Sequence, residues 1–388
     1  MNFIVSADRI HSGCDILANS LRKEVTLRLA AYKQPDNEYV IVEGVDGVME
    51  FHLSMPAKVQ EPGETALRSC NMVSFLETKG DVTVSLRLRS QSKQKKMEPR
   101  VNDLHVTDSR KVRHLIPVVN NIPRMKPRSA PLANVTLELK ALQSIISKVS
   151  WIAENGTDLF NGLCVKFVCS DRLTAIASNG FVAAVAHTPH DSQYRGSLLV
   201  ALEAVNAIRG IKGDMVSLQV YEQGIGFNIT GDILCDFRFS KYVIPEDKSQ
   251  FPDVASWLDG MLPRQQITGS TDELLEALDA IKYAGDEMLI KLHHKSGYVK
   301  QLPRFSTKDE SVGRRSEYHV NMDWAGDDIS IKVDRTALYR AVQNAGDKVV
   351  ITFTNETAPF RVQSVDGSYV CGIPRFSPQE KGYMEKSY

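Results

Sequence analysis

One order of elements, met three times along 388 residues, limits this chain more than any other feature. Each third carries a helix, several strands, a second helix and more strands. In the middle third Leu139, Leu142, Ile145, Ile146, Val149 and Ile152 recur at spacings of a helical turn, which predicts an amphipathic helix. Strand-like runs at 162–168 and 173–177 flank Cys169-Ser170-Asp171-Arg172, a hairpin. Leu199, Leu202, Val205 and Ile208 predict a second helix ending near Gly210, and runs at 215–221, 225–230 and 233–239 continue the sheet.

The last third repeats this. Leu274, Leu275, Leu278 and Ile281 predict a helix with Ser270 or Thr271 as its N-cap and Glu273 in its first turn. Runs at 289–293, 318–322 and 329–333 read as strands, and Leu338, Val342 and Ala345 mark another helix. Runs at 349–354, 360–364 and 369–373 close the unit. The first third is fainter. Ile10, Ile16 and Leu17 mark its first helix, and Leu67, Val73 and Leu76 its second. Val82, Val84, Leu86 and Leu88 alternate with Thr83, Ser85, Arg87 and Arg89, the pattern of a half-buried strand.

Proline and glycine gather at 123–131 and 259–263, which divides the chain into domains at 1–131, 132–261 and 262–388. Each is of ordinary domain size and of α+β class, two helices packed on antiparallel sheets. The segments 91–110 and 301–316 are polar and charged and read as extended loops or disordered insertions.

Charge excludes one class of function. Lys+Arg and Asp+Glu both number 47, so the chain is not a general basic coat for nucleic acid. Any DNA contact must come from the arrangement of charge. The six cysteines form no CxxC and sit among apolar neighbours, so they read as buried, reduced thiols. No signal-peptide core and no apolar run of about 20 residues occurs, so the reading is cytoplasmic. Catalytic signatures are missing: no GxxxxGK[ST], no HExxH and no GxSxG. His187-Thr188-Pro189-His190 has no nearby cysteine or carboxylate cluster and reads as a plain loop, not a metal pair. Gly224-Ile225-Gly226 is a hairpin turn that lacks the third glycine of a dinucleotide site. The expectation is a protein without catalytic residues, metal or cofactor.

Several short segments resemble the DNA polymerase III beta-subunit sliding clamps of bacteria. Ala177-Ser178-Asn179-Gly180-Phe181 resembles the T-D-G-H-R-L segment of that family's middle domain. Phe251-Pro252-Asp253 resembles its F-P-D, and Asn161-Gly162 the N-G that opens a strand after the helix. Tyr369-Val370-Cys371-Gly372-Ile373-Pro374-Arg375 resembles its terminal Y-V-x-M-P-M-R-L. Met1-Asn2-Phe3-Ile4-Val5 and Glu61-Pro62-Gly63 fit in order. The chain departs from the family where H-R-L becomes Phe181-Val182-Ala183, and where a tail, 376–388, follows the terminal motif. Phe376 or Tyr383 of that tail could fold back as a self-ligand or add wall for a partner.

The resemblance implies three tandem DNA-clamp domains per chain and a head-to-tail homodimer ring around double-stranded DNA. DNA is met without reading its sequence. Polymerase and clamp loader dock through short peptide motifs, and no membrane is involved. The positive lining would use Arg22, Lys23, Lys140, Lys148, Arg209, Lys212, Lys282, Arg335 and Arg340, which lie off the apolar stripes. Glu273, Glu276 and Asp279 work against this on their own helix. Lys282 stands where family dimers bury an apolar residue, which implies a weaker dimer. The partner-peptide pocket would use Phe160, Ser178, Gly180, Phe181, Val182, Ala183, Pro252, Trp257, Pro359, Ile373 and Pro374. The alternative is a clamp-fold scaffold or interaction protein that does not encircle DNA.

Overall fold

The computed structural model describes the chain outside residues 21–23, 47–48, 89–101, 120–121, 124–129, 155–163, 223, 241–242, 245–250, 283–286, 293–303, 310–313, 321, 326–328 and 375–388. Arg22, Lys23, Phe160, the Asn161-Gly162 step and the tail therefore lie outside the described residues. The α-helices described are α1 (Ala7–Ser20), α2 (Val73–Leu76), α3 (Leu139–Ala153), α4 (Leu202–Arg209), α5 (Val254–Asp259), α6 (Thr271–Ala280) and α7 (Arg335–Gln343).

The chain forms two compact units. The first comprises Met1–Gln143, His190–Tyr194 and Glu203–Val243, and the second Ser144–Pro189, Arg195–Leu202 and Ile244–Tyr388. The middle third contributes to both.

In the first unit, strand Asn2–Ser6 pairs with Asp81–Leu88 inside a five-stranded antiparallel sheet that ends on Arg113–Pro117. A second sheet has eight strands. Within it, Met49–Pro56 lies against Leu234–Ser240, so strands of the first and middle thirds share one ladder. Met49–Pro56 alternates buried and part-exposed residues without a break, the mark of a strand with one face in a core. Phe3 and Val5 of one sheet, Leu29, Val42 and Leu53 of the other, and Ile10 of α1 converge on a small void of about 20 Å³.

The second unit is built the same way. A ten-stranded sheet joins Ala183–Pro189 to Tyr369–Ile373, and a four-stranded sheet ends on Arg314–His319. Phe353 and Phe360, both buried, pack with ring centres 5.4 Å apart, and α6 packs on α7. Serine and aspartate start these helices: Ser270 Oγ accepts from Glu273 N at 3.5 Å, and Asp334 accepts from Ala337 N at 2.7 Å.

The pairing pattern recurs in each third. A leading strand pairs with the strand that follows the second helix, and the strands between the helices pair among themselves. Several sequence expectations need correction. Within 91–110, Asn102–Thr107 is a strand paired on both sides. Within 301–316, Arg304–Asp309 and the start of Arg314–His319 form a hairpin. Polar composition concealed strands that lie at or beside a sheet edge. Leu67 lies in strand Gly63–Arg68 and Leu199 in strand Gly196–Ala201, so both helices begin later than their apolar spacing suggested. His187 is on a strand, not in a loop. Five cysteines are buried, but Cys70 is exposed beside Glu24 and Asn71. No described helix is long and apolar enough to cross a membrane.

Candidate functional site

In the second unit, α5 lays an apolar face on the ten-stranded sheet. Val254, Leu258 and Met261 are buried with Ala183, and Phe251, Trp257, Val185 and Val370 pack around them. The helix starts where it does because Asp253 caps it, accepting from Ser256 N at 3.1 Å and Ser256 Oγ at 2.6 Å. These bonds to Ser256 hold the Asp253 carboxyl below its ordinary pKa.

The indole of Trp257 lies on the backbone of Gly372. A Cβ at Gly372 would fall 2.3 Å from Trp257 Cζ3 and 2.7 Å from Cη2, so no side chain other than hydrogen fits under the ring. Gly372 pairs with Ala183, and the neighbouring Ile373 is wholly buried.

A tight turn next to Ala183 raises an aromatic side chain. Asn179 Oδ1 accepts from Phe181 N at 3.1 Å and Val182 N at 2.9 Å, and Ser178 Oγ accepts from Gly180 N at 3.2 Å. Gly180 has φ +87°, a conformation that favours glycine. Phe181 is left 43% exposed while Val182 and Ala183 go into the core.

The sequence-derived pocket set therefore divides. Ser178, Val182, Ala183 and Ile373 are buried, whereas Gly180, Phe181, Pro252, Trp257, Pro359 and Pro374 reach solvent to some degree. Sequence reasoning missed Val254, Leu258, Met261 and Gly372. Val254 and Leu258 stand one helical turn apart around Trp257, and that spacing was the available signal.

The basic residues are placed as follows. In the first unit Lys140, Arg209 and Lys212 are exposed. Gln143 Nε2 donates to the carbonyls of Ile208 and Ile211, both at 2.8 Å, and so fixes the start of α3 beside the end of α4. In the second unit Lys282 and Arg340 are exposed and Arg335 is half-buried. Lys282 pairs with Asp279 at 3.6 Å. Lys148 is half-buried and donates to Ser368 Oγ at 3.4 Å.

Around Lys148 the second unit gathers several polar groups. Ser364 Oγ donates to Asp366 at 2.6 Å, and Ser368 N donates to it at 2.9 Å. These bonds, with the charge of Lys148, bring the Asp366 pKa down to about 2. Arg172 donates to His187 Nε2 at 2.7 Å, which requires a neutral imidazole there. Burial, then the charge of Arg172, lowers the His187 pKa below 6.5. As pH falls, the unfolded chain thus takes up this proton first. The stability tied to neutral His187 is complete above about pH 6.5 and is lost as pH falls through the lower folded value. The His187 ring signals should titrate with a midpoint below 6.5, and Arg172→Ala should raise that midpoint. A midpoint at or above 6.5 in the unaltered protein would contradict the neutral acceptor. Among the described residues, no three His, Cys, Asp or Glu side chains group closely enough to hold a metal ion.

No protein-family model matches the chain, and no curated protein matches it in sequence. Solved structures do match it in fold. The DNA polymerase III beta subunit from Thermotoga maritima superposes with a TM-score of 0.76 at 13% identity, covering 97% of this chain and 99% of that one. The beta subunit from Pseudomonas aeruginosa gives 0.74 at 16%, over 97% and 100%. The DNA polymerase sliding clamp from Bacillus subtilis gives 0.75 at 14%, over 97% and 99%. Across nearly its whole length, this chain has the fold of the DNA polymerase III beta-subunit sliding clamps.

Proposed function

We propose that the protein is a DNA sliding clamp, a non-catalytic processivity factor with three clamp domains per chain (1–131, 132–261 and 262–388). It closes as a head-to-tail homodimer ring in the cytoplasm. The observation that carries this reading is the state of the sheet ends. Inside the chain, the last strand of one repeat pairs with the third inter-helix strand of the repeat before it: Leu234–Ser240 with Met49–Pro56, and Tyr369–Ile373 with Ala183–Pro189. The corresponding strands that remain, Arg113–Pro117 and Arg314–His319, each end a sheet. Pairing them between two copies uses both open edges and closes the assembly.

In that ring Lys140, Arg209, Lys212, Lys282, Arg335 and Arg340, with Arg22 and Lys23, meet DNA phosphates without reading bases. Lys148 belongs to the same set, although its contact with Ser368 gives it a second role. Polymerase and clamp loader bind by short apolar motifs on the Phe181–Trp257 surface.

Light scattering at micromolar protein should give twice the chain mass. Protein incubated with a nicked circular plasmid should co-elute with it on gel filtration and be lost once the plasmid is linearised. A monomer or trimer overturns the ring. Equal retention on circular and linear DNA, or none on either, favours the scaffold that does not encircle DNA.

A further inference from the structure

The ladder between Ala183–Pro189 and Tyr369–Ile373 fixes where the chain leaves the second unit. Its pairs run from Ala186 with Tyr369 to Ala183 with Gly372. Ala183 is buried against α5, and a Cβ on Gly372 would meet Trp257 and Leu258 of α5. This last pair therefore marks the sheet face that α5 covers. Side chains alternate between faces along a strand, so Phe181 and Pro374, each two residues further on, stand where that face runs out. The closing strand stops at Ile373, beside the turn that raises Phe181.

Apolar surface is left open at this exit. Phe181 is 43% exposed, and Leu262, next to the buried Met261, is 69% exposed. Trp257 is partly exposed, and the Ser178–Ala183 turn carries no charge. Residues 375–388 lie outside the described residues, but their sequence suits such a surface. It holds Phe376, Tyr383, Met384 and Tyr388, with charged residues of both signs between them.

We propose that the chain's own tail occupies this surface: Phe376, backed by Tyr383 and Met384, packs on Phe181 and Trp257, and a partner peptide binds only by displacing it. Phe376 has the strand parity of Gly372 and Pro374, and the two residues from Pro374 span at most about 7 Å. Pro378 and Gly382 are residue types that turn a chain back on itself. The tether is what favours this occupant. A segment joined so closely is present at an effective concentration on the order of millimolar. A partner's apparent affinity is then reduced by the fraction of chains whose surface is open. The proposal rests on the reading of this surface as the partner-peptide site and adds an internal competitor to it.

Phe376→Ser with Tyr383→Ser, made in the full chain, removes two anchors and leaves every strand of the ladder unchanged. The probe is a short fluorescent peptide with leucine and phenylalanine anchors, read by anisotropy. The double variant should bind it at least about threefold more tightly than the parent. The indole N–H resonance of Trp257, assigned by its loss in Trp257→Phe, should move in the double variant. A synthetic 376–388 peptide should move it back and should compete with the probe. A chain ended after Arg375 serves as the second variant, and a thermal melt checks that each is folded. Folded variants with an unmoved resonance and unchanged affinity overturn the proposal. Weaker binding with a moved resonance overturns the competition and makes the tail part of the partner's wall. A probe that binds neither parent nor variant overturns the peptide-site reading, and the resonance still decides where the tail lies.

Discussion

Trp257→Ala should lower the affinity for a short fluorescent peptide with leucine and phenylalanine anchors by about five- to thirtyfold, the equivalent of about 1–2 kcal/mol. The indole packs against Gly372 and is partly exposed, so it offers a rigid apolar wall at little entropic cost. Phe181, raised by the Asn179 turn, supplies further exposed apolar surface on the same unit. No arginine or histidine stands in the 178–183 turn, so an apolar peptide should bind better than an acidic one. Gly372→Ala should act in the same direction, since a methyl group there must push the indole off its seat. Fluorescence anisotropy gives the dissociation constants. Unchanged affinity in both variants would move the partner site elsewhere.

The second large effect concerns DNA. Changing Lys140, Arg209 and Lys212 together to glutamate should abolish retention on the circular plasmid and leave the thermal melt close to that of the parent. All three side chains are exposed, and none carries part of the core. Each phosphate contact contributes about 0.9 to the slope of log affinity against log salt, so losing three should flatten that slope by about 2 to 3. Lys148 is left out of this variant because its ammonium holds Ser368, and its loss would disturb the hairpin as well as any phosphate contact. Full retention by the triple variant would remove these residues from the lining.

The long amphipathic elements were legible in sequence because a single stripe decides them. The α3 stripe, Leu139 to Ile152, lies wholly in the core, and the hairpin at Cys169–Arg172 joins the two strands expected of it. Strand Asp81–Leu88 appeared where alternation placed it. What failed was the inference from polarity to disorder. Asn102–Thr107 and Arg304–Asp309 are strands despite their charged residues, Asp103 being buried, and composition cannot separate such strands from loops. The second helix of the first third was overdrawn because Leu67 is buried from a strand, not from a helix face.

The candidate surface was half legible. Phe181 and Trp257 could be named from a resemblance, and the structure leaves Phe181 exposed and Trp257 partly so. The need for glycine at 372 could not be read, because it depends on a helix and a strand more than a hundred residues apart in the chain meeting face to face. Nor could a sequence show that Lys148 is bonded to a hairpin serine.

The ladder between Met49–Pro56 and Leu234–Ser240 has a consequence for how the protein is made. On the ribosome the earlier strand emerges long before its neighbour exists. At about 5–20 residues per second the wait lasts roughly ten to forty seconds. Ala183–Pro189 waits similarly for Tyr369–Ile373. Throughout that time each nascent sheet offers an unpaired edge above a largely formed apolar face. An edge left open this way is prone to wrong pairing during synthesis, and ladders of high sequence separation make refolding from denaturant slow beside that of a helical protein of equal size.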